Sequence, residues 1–179
     1  MKIAIDQIRD VSREFHFLQA ADLFPVLADM AAAGECRFLG PVEVHLTAAR
    51  EMEHYRVEGT VTVPVQMACS RCLASFERTL SSRFTIFFRQ GSSVVADEDE
   101  VELEERDLIS VPFSGDELDL SPEIGEQVAL AVPFKPLCSD DCKGLCPHCG
   151  TDLNVSYCDC GHELVNLKFA ALKDFKIHR

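Results

Sequence analysis

The sequence predicts an α+β fold: an antiparallel β-meander, open to curling toward a barrel, with a few packed helices and a C-terminal zinc-knuckle segment. Three observations predict it. First, Val42, Val44, Leu46 and Ala48 alternate with polar residues, as do Val57, Val61, Val63, Val65 and Met67, and then Phe76, Leu80, Phe84, Ile86 and Phe88. Period-two alternation in three consecutive runs gives neighbouring strands with one apolar and one wet face. Second, Leu23, Phe24, Leu27 and Met30 share one side of a helical stretch that stops at Gly34. Third, six cysteines crowd residues 138–160.

The elements follow in order. Ile3 and Ile5 mark a first strand, and Glu14 to Leu18 a second. The helix is expected over 20–33, with Asp22 as N-cap and Pro25 in the first turn, where proline is tolerated. In the meander, Glu51 to Glu53 forms the first turn, and Pro64 predicts an edge position or a bulge. Leu108 to Phe113 reads as a short strand. Ser121-Pro-Glu-Ile supplies an N-cap, a proline at the first helical position and a first-turn carboxylate, for a helix ending near Val132. Leu164, Leu167, Ala171 and Phe175 lie on one side of a tail helix. The expected organisation is an antiparallel sheet with its N-terminal helix over 1–90, an acidic linker over 91–107, a short strand and helix packed on the sheet over 108–137, and a cysteine-rich zinc-binding segment with the tail helix over 138–179.

The cysteines carry the chemistry. Cys146-Pro-His-Cys149-Gly150 has the spacing at which two thiolates chelate one ion. Pro147 stiffens the loop, and Gly150 supplies a positive φ that turns N–H groups toward the sulfurs. Cys158 and Cys160 lie far enough beyond Cys149 for the chain to return and complete a tetrahedron. A second Cys-x2-Cys, Cys69 and Cys72, lies between two strands, where a two-residue hairpin turn would favour Asn-Gly. With Cys138 and Cys142 it leaves four more thiols. One or two Zn²⁺ are expected. In the two-site scheme Cys146, Cys149, Cys158 and Cys160 form one set and Cys69, Cys72, Cys138 and Cys142 the other, and the two C-terminal pairs are interchangeable. Residues 138–160 contain only Leu145, Leu153, Val155 and Tyr157 as large apolar side chains, so metal rather than a core is expected to hold the segment.

The remaining candidates are weaker. Cys36 reads as a buried small hydrophobe, His148 as an outward-facing knuckle residue and His162 as the one substitute ligand. His16, His45 and His54 are expected to face solvent or to hydrogen-bond. There is no glycine-rich phosphate loop and no Gly-x-Ser-x-Gly elbow. Abundant carboxylates occur only in an acidic run. The expectation is therefore a protein that is not an enzyme.

Of the net charge of −13, nearly all belongs to residues 97–132, which carry thirteen acidic side chains and one basic. Such a field repels phosphate backbones and favours basic protein partners or simple solubility. No apolar run reaches the roughly 20 residues of a membrane helix, and the N-terminus lacks an apolar signal core. Clustered cysteines then point to a reduced, cytosolic protein without a membrane partner.

One family shares this arrangement. Cys69-Ser-Arg-Cys72-Leu follows a valine-rich strand, and an acidic middle leads to Asp119-Leu, Glu126 and Ala129-Leu-Ala-Val-Pro133. Then come Cys138-x3-Cys142-Lys-Gly-Leu-Cys-Pro-x-Cys149-Gly-x2-Leu-Asn154 and Cys158-Asp-Cys160. In these positions the chain resembles the YceD-like family of large ribosomal RNA subunit accumulation proteins. The resemblance implies a non-enzymatic cytosolic factor, bacterial or organellar, that supports accumulation of large-subunit ribosomal RNA. It implies a ribosomal protein or pre-ribosomal large-subunit particle as partner, with direct RNA contact open. The CPxCG knuckle alone points elsewhere, to a zinc-dependent nucleic-acid-binding or transcription-associated module. Such a module should gather Arg71, Lys135, Lys143, Lys168, Lys173, Lys176 and Arg179 into a basic stripe. A thiol redox sensor is a third reading, favoured if the native thiols are metal-free.

Overall fold

The structure, a computed structural model, describes residues 1–91 and 109–160. The expected acidic linker, apart from Gly91, and the tail helix over 164–175 lie outside the described residues, as does His162. The elements are β1 (Lys2–Ala4), β2 (Arg13–Gln19), α1 (Pro25–Ala32), β3 (Arg37–Phe38), β4 (Val42–Glu51), β5 (His54–Ala68), β6 (Ser75–Gln90), β7 (Ser110–Phe113), β8 (Glu117–Asp119) and α2 (Ser121–Ala131). Short 3-10 turns at Ile5–Gln7 and Ala21–Leu23 precede β2 and α1.

The main sheet has strand order β2-β4-β5-β6-β7, with β3 added to β5. Its β4-β5-β6 meander is antiparallel with the expected faces: Val42, Val44, Leu46, Val57, Val61, Val63, Leu80, Phe84 and Phe88 are buried. The sheet is mixed rather than antiparallel throughout, because β7 runs parallel to β6. Its expected curl stops at a half-barrel. At Gly59, which pairs with Leu46, the two strands lie very close. A Cβ there would lie 2.2 Å from the His45 carbonyl oxygen and 2.7 Å from Leu46 Cα. Only glycine leaves room for β4 to press this closely.

Three local expectations shift. Pro64 is neither on an edge strand nor at a bulge: β5 is central. Pro64 falls where β4 has stopped pairing and β3 begins, and its carbonyl accepts the Leu39 N–H at 2.9 Å. The N–H that proline lacks would face Leu39 on that same side, where the ladder to β4 has already ended, and its bonds to β6 are not affected. The helix expected over 20–33 is shorter. A 3-10 turn takes up its first residues, so Phe24 rather than Asp22 occupies the N-cap, without a side-chain hydrogen bond. Ser121 is the first residue of α2 rather than its cap; Leu120 precedes it, and the Asp119 carboxylate accepts the Ser121 N–H at 3.0 Å.

α2 lies against β5 and β6, and α1 packs mainly on α2. Phe24, Leu27, Ile124 and Val128 complete one core with the sheet's inner face, and Ile3 and Leu118 from the small β1–β8 pair join it. Strands β5 and β6 contain fifteen and sixteen residues, so each runs about 50 Å. Their pairing continues from His54↔Arg89 to Ala68↔Ser75, beyond the end of β4. The hairpin tip therefore stands clear of the main core, and Cys69 and Cys72 sit on it.

Gly59→Ala is expected to lower the unfolding free energy by about 1–3 kcal/mol, the usual cost of overpacking, because the obstructing atoms are backbone. Urea denaturation followed by circular dichroism measures this. A loss below about 0.5 kcal/mol, the level of a neutral surface change, would contradict the close approach of β4.

Candidate metal centre

Two loops of the same shape lie at the heart of the site. In the hairpin tip, the Leu73 N–H bonds the Cys69 carbonyl and the Cys69 N–H bonds the Ala74 carbonyl, both at 2.9 Å. In the second Cys-x2-Cys, the Gly150 N–H bonds the Cys146 carbonyl at 2.9 Å and the Cys146 N–H bonds the Thr151 carbonyl at 2.8 Å. The residue after the second cysteine has positive φ in both, 62° at Leu73 and 72° at Gly150. This left-handed residue folds the chain back beside the two sulfurs. Glycine adopts it freely, whereas leucine does so at a cost of about 1–2 kcal/mol.

Each loop is met by another cysteine pair. Cys69, Cys72, Cys138 and Cys142 form one tetrad, and Cys146, Cys149, Cys158 and Cys160 the other, with all ligand atoms of a tetrad within 4.8 Å of one another. In the first, Cys69 Sγ lies 3.7 Å from Cys142 Sγ, and Cys72 Sγ lies 3.7 Å from Cys138 Sγ. A disulfide needs about 2.05 Å. Four sulfurs placed tetrahedrally at about 2.3 Å from one ion are about 3.8 Å apart. The donor set and its spacing therefore fit a four-coordinate thiophilic ion, so both tetrads could hold a metal. Cys69, Cys72 and Cys142 are buried beside Phe76, Leu137 and Leu145, and Cys138 is exposed. In the second tetrad only Cys146 is buried.

The thiols feel one another strongly. N–H groups of Cys72 and then Cys138 pull the Cys69 thiol down to about 6. Cys138, hydrogen-bonded to the Cys142 sulfur and desolvated, is pushed up to about 12. The second tetrad splits the same way. The Thr151 hydroxyl, 3.1 Å from Cys149 Sγ, and the Thr151 N–H hold Cys149 near 6, while Cys160 rises to about 12 beside the Cys149 sulfur. Adjacent thiolates repel, so the first to ionise raises the rest; a divalent cation reverses that penalty.

The contacts that seat the cysteine-rich segment on the tip come from residues to which spacing assigned no role. The Arg71 guanidinium donates to the carbonyls of Cys142 at 2.8 Å and Asp140 at 3.3 Å, and the Arg71 carbonyl accepts the Leu145 N–H at 3.1 Å. Ser70 N–H bonds the Pro136 carbonyl at 2.8 Å. Gly144 has φ of 76°, and a Cβ there would lie 3.0 Å from the Arg71 carbonyl oxygen. Asn154, in the loop between Cys149 and Cys158, ties that loop to the first tetrad. Its amide nitrogen lies 3.4 Å from Cys142 Sγ, and its carbonyl oxygen accepts the Lys143 N–H at 2.8 Å. The Lys-Gly-Leu between Cys142 and Cys146 was the available signal for Gly144; Arg71 and Asn154 stood within the cysteine motif, but no spacing rule assigns them these contacts.

Of the four apolar residues in this segment, Val155 and Tyr157 are exposed and Leu145 and Leu153 half-buried, so it has almost no core of its own. Cys36 is buried away from both tetrads, and burial, then the Glu35 charge, pushes its thiol up. His148 is exposed and His54 buried. His16 and His45 sit on strands with Glu43 between them. Of the basic residues expected to form a stripe, Arg71 is turned inward onto carbonyls, and Lys143 lies over the Tyr157 ring at 5.9 Å.

Comparison with known proteins adds the family. A chloroplastic protein of Arabidopsis thaliana, named large ribosomal RNA subunit accumulation protein YCED homolog 1, is 27% identical over 143 residues, covering 69% of this chain and 44% of its own length. A Zea mays protein of the same name is 24% identical over 67% of this chain and 48% of its own. An uncharacterized protein of Mycobacterium tuberculosis is 31% identical over 73% of this chain and 60% of its own. The chain thus spans about half the length of the curated relatives it matches. No solved structure matches it. The profile of the family described as large ribosomal RNA subunit accumulation protein YceD matches residues 57–176, from β5 through both tetrads, and the chain belongs to that family.

Proposed function

We propose that the protein is a non-enzymatic factor that supports accumulation of large-subunit ribosomal RNA in a reducing, cytosolic compartment, and that two Zn²⁺ ions hold its two tetrads. Family membership carries the functional part. The sulfur geometry supports the metal part: soft thiolates in a tetrahedron select zinc over harder ions, and four protein ligands leave no coordination position for substrate. The metal's role is structural, joining the hairpin tip to the segment that follows α2. Among the described residues no helix is long and apolar enough to cross a membrane. The partner is a ribosomal protein or a pre-ribosomal large-subunit particle. The −13 charge favours contact through basic protein over bare RNA.

Affinity purification of the tagged protein, with and without ribonuclease, tests the functional reading. Ribosomal proteins of the large subunit are expected to stay bound after digestion. Loss of every ribosomal component would show recognition through RNA, and capture of none in either condition would overturn the reading.

Region-by-region amide exchange tests the metal reading. Cys146→Ser with Cys149→Ser removes two ligands of the second tetrad and leaves the first intact. Residues 146–160 are expected to lose protection, while the tip at 69–74 and strands β4 to β6 keep theirs. A strong chelator is expected to release the tip as well. Unchanged protection across 138–160 after verified metal loss, or uniform unfolding of the sheet, would contradict it.

A further inference from the structure

The outer, polar face of the sheet carries a second donor cluster of different chemistry. The β2–β4 register places His16 directly opposite His45, and Glu43, opposite Leu18, lies on the same face one step along. The two imidazoles stack with centroids 4.2 Å apart and an interplanar angle of 19°. Both Nε2 atoms converge on one oxygen: His16 Nε2 and His45 Nε2 each lie 3.1 Å from Glu43 Oε1. Two ligands at about 2.1 Å from an ion, subtending 90–109°, are about 3.0–3.4 Å apart. Both N–O edges fall in that range.

The surroundings favour a cation. A depression of about 510 Å³ opens beside the cluster, and Glu14 lines it along with His16, His45, Thr47 and Glu58, the last already paired with Arg56, with no lysine or arginine among its lining residues. The side chains of His16, Glu43 and His45 are 52%, 44% and 61% exposed, so water has access to an ion held there. Strands rather than loops fix the spacing.

We propose that His16, Glu43 and His45 form a binding site for a divalent transition ion, separate from the cysteine tetrads. Two imidazoles and one carboxylate are a borderline donor set. It suits Zn²⁺ or Ni²⁺ over Mg²⁺ or Ca²⁺, which prefer oxygen. Three protein ligands leave positions for water or for a carboxylate or imidazole of a partner, so this site is open where the tetrads are closed. It does not depend on the ribosomal reading.

Calorimetric titration of Zn²⁺ into the full chain, with its tetrads already zinc-replete, tests the site. One additional ion is expected to bind per chain. His16→Ala and His45→Ala should each weaken that step at least tenfold, with an unchanged circular dichroism spectrum and an unchanged tetrad zinc content. Histidine side-chain NMR signals of the wild-type protein should move during the same step. No additional ion at millimolar Zn²⁺, or an additional ion bound equally well by the folded variants, would overturn the assignment.

Discussion

The meeting of the hairpin tip with the cysteine-rich segment is the constraint on which the second half of the chain depends. Cys69 and Cys72 reach it on the end of β5, and Cys138 and Cys142 reach it after α2. Between those pairs lie β6, β7, β8 and α2, so closing this contact closes a long loop of chain. The apolar material at the junction is small: Phe76, Leu137 and Leu145 around three cysteines. Backbone bonds through Ser70, Arg71 and Leu145 set the register. They do not remove the repulsion between four adjacent sulfurs once these ionise, which a bound cation does.

The sheet prepares this junction. β5 and β6 outrun β4, and β3 covers only Gln66 and Val65 beyond Pro64. The tip is thus a lever extending from a well-packed half-barrel, with its own ladder of backbone bonds. The second tetrad follows by covalent proximity: only Lys143, Gly144 and Leu145 separate Cys142 from Cys146. Gly144 lets that short connection pass against the Arg71 backbone, and Asn154 ties the following loop to Cys142 and Lys143. A soft, core-poor segment is in this way carried by a rigid one.

Much of this was legible in the sequence because it is local or periodic. Alternating Val and Phe stripes located β4, β5 and β6, and cysteine spacing drew attention to both Cys-x2-Cys loops. What was missed is non-local or too short to have a period. β3 has two residues and β8 three, and each exists because a partner strand offers unpaired groups. Alternation does not encode strand direction, so the parallel pairing of β7 could not be read from Val111 and Phe113. The helix caps slipped because Asp22 and Ser121 satisfy cap statistics, while a 3-10 turn and the Asp119 carboxylate occupy those roles. In the centre itself, Arg71 and Asn154 act through backbone carbonyls, an amide N–H and one sulfur of another segment, and no spacing rule anticipates such contacts.

On the proposed reading, a tetrahedral ion joins the tip to the C-terminal segment, and a second such ion lies beside it. Zinc-edge X-ray absorption on the purified protein, dialysed free of loosely held ions and with its metal counted on the same sample, tests this most directly. Two zinc ions per chain are expected, each with four sulfur neighbours at about 2.3 Å. One zinc per chain, or a first shell in which nitrogen or oxygen replaces sulfur, would contradict it.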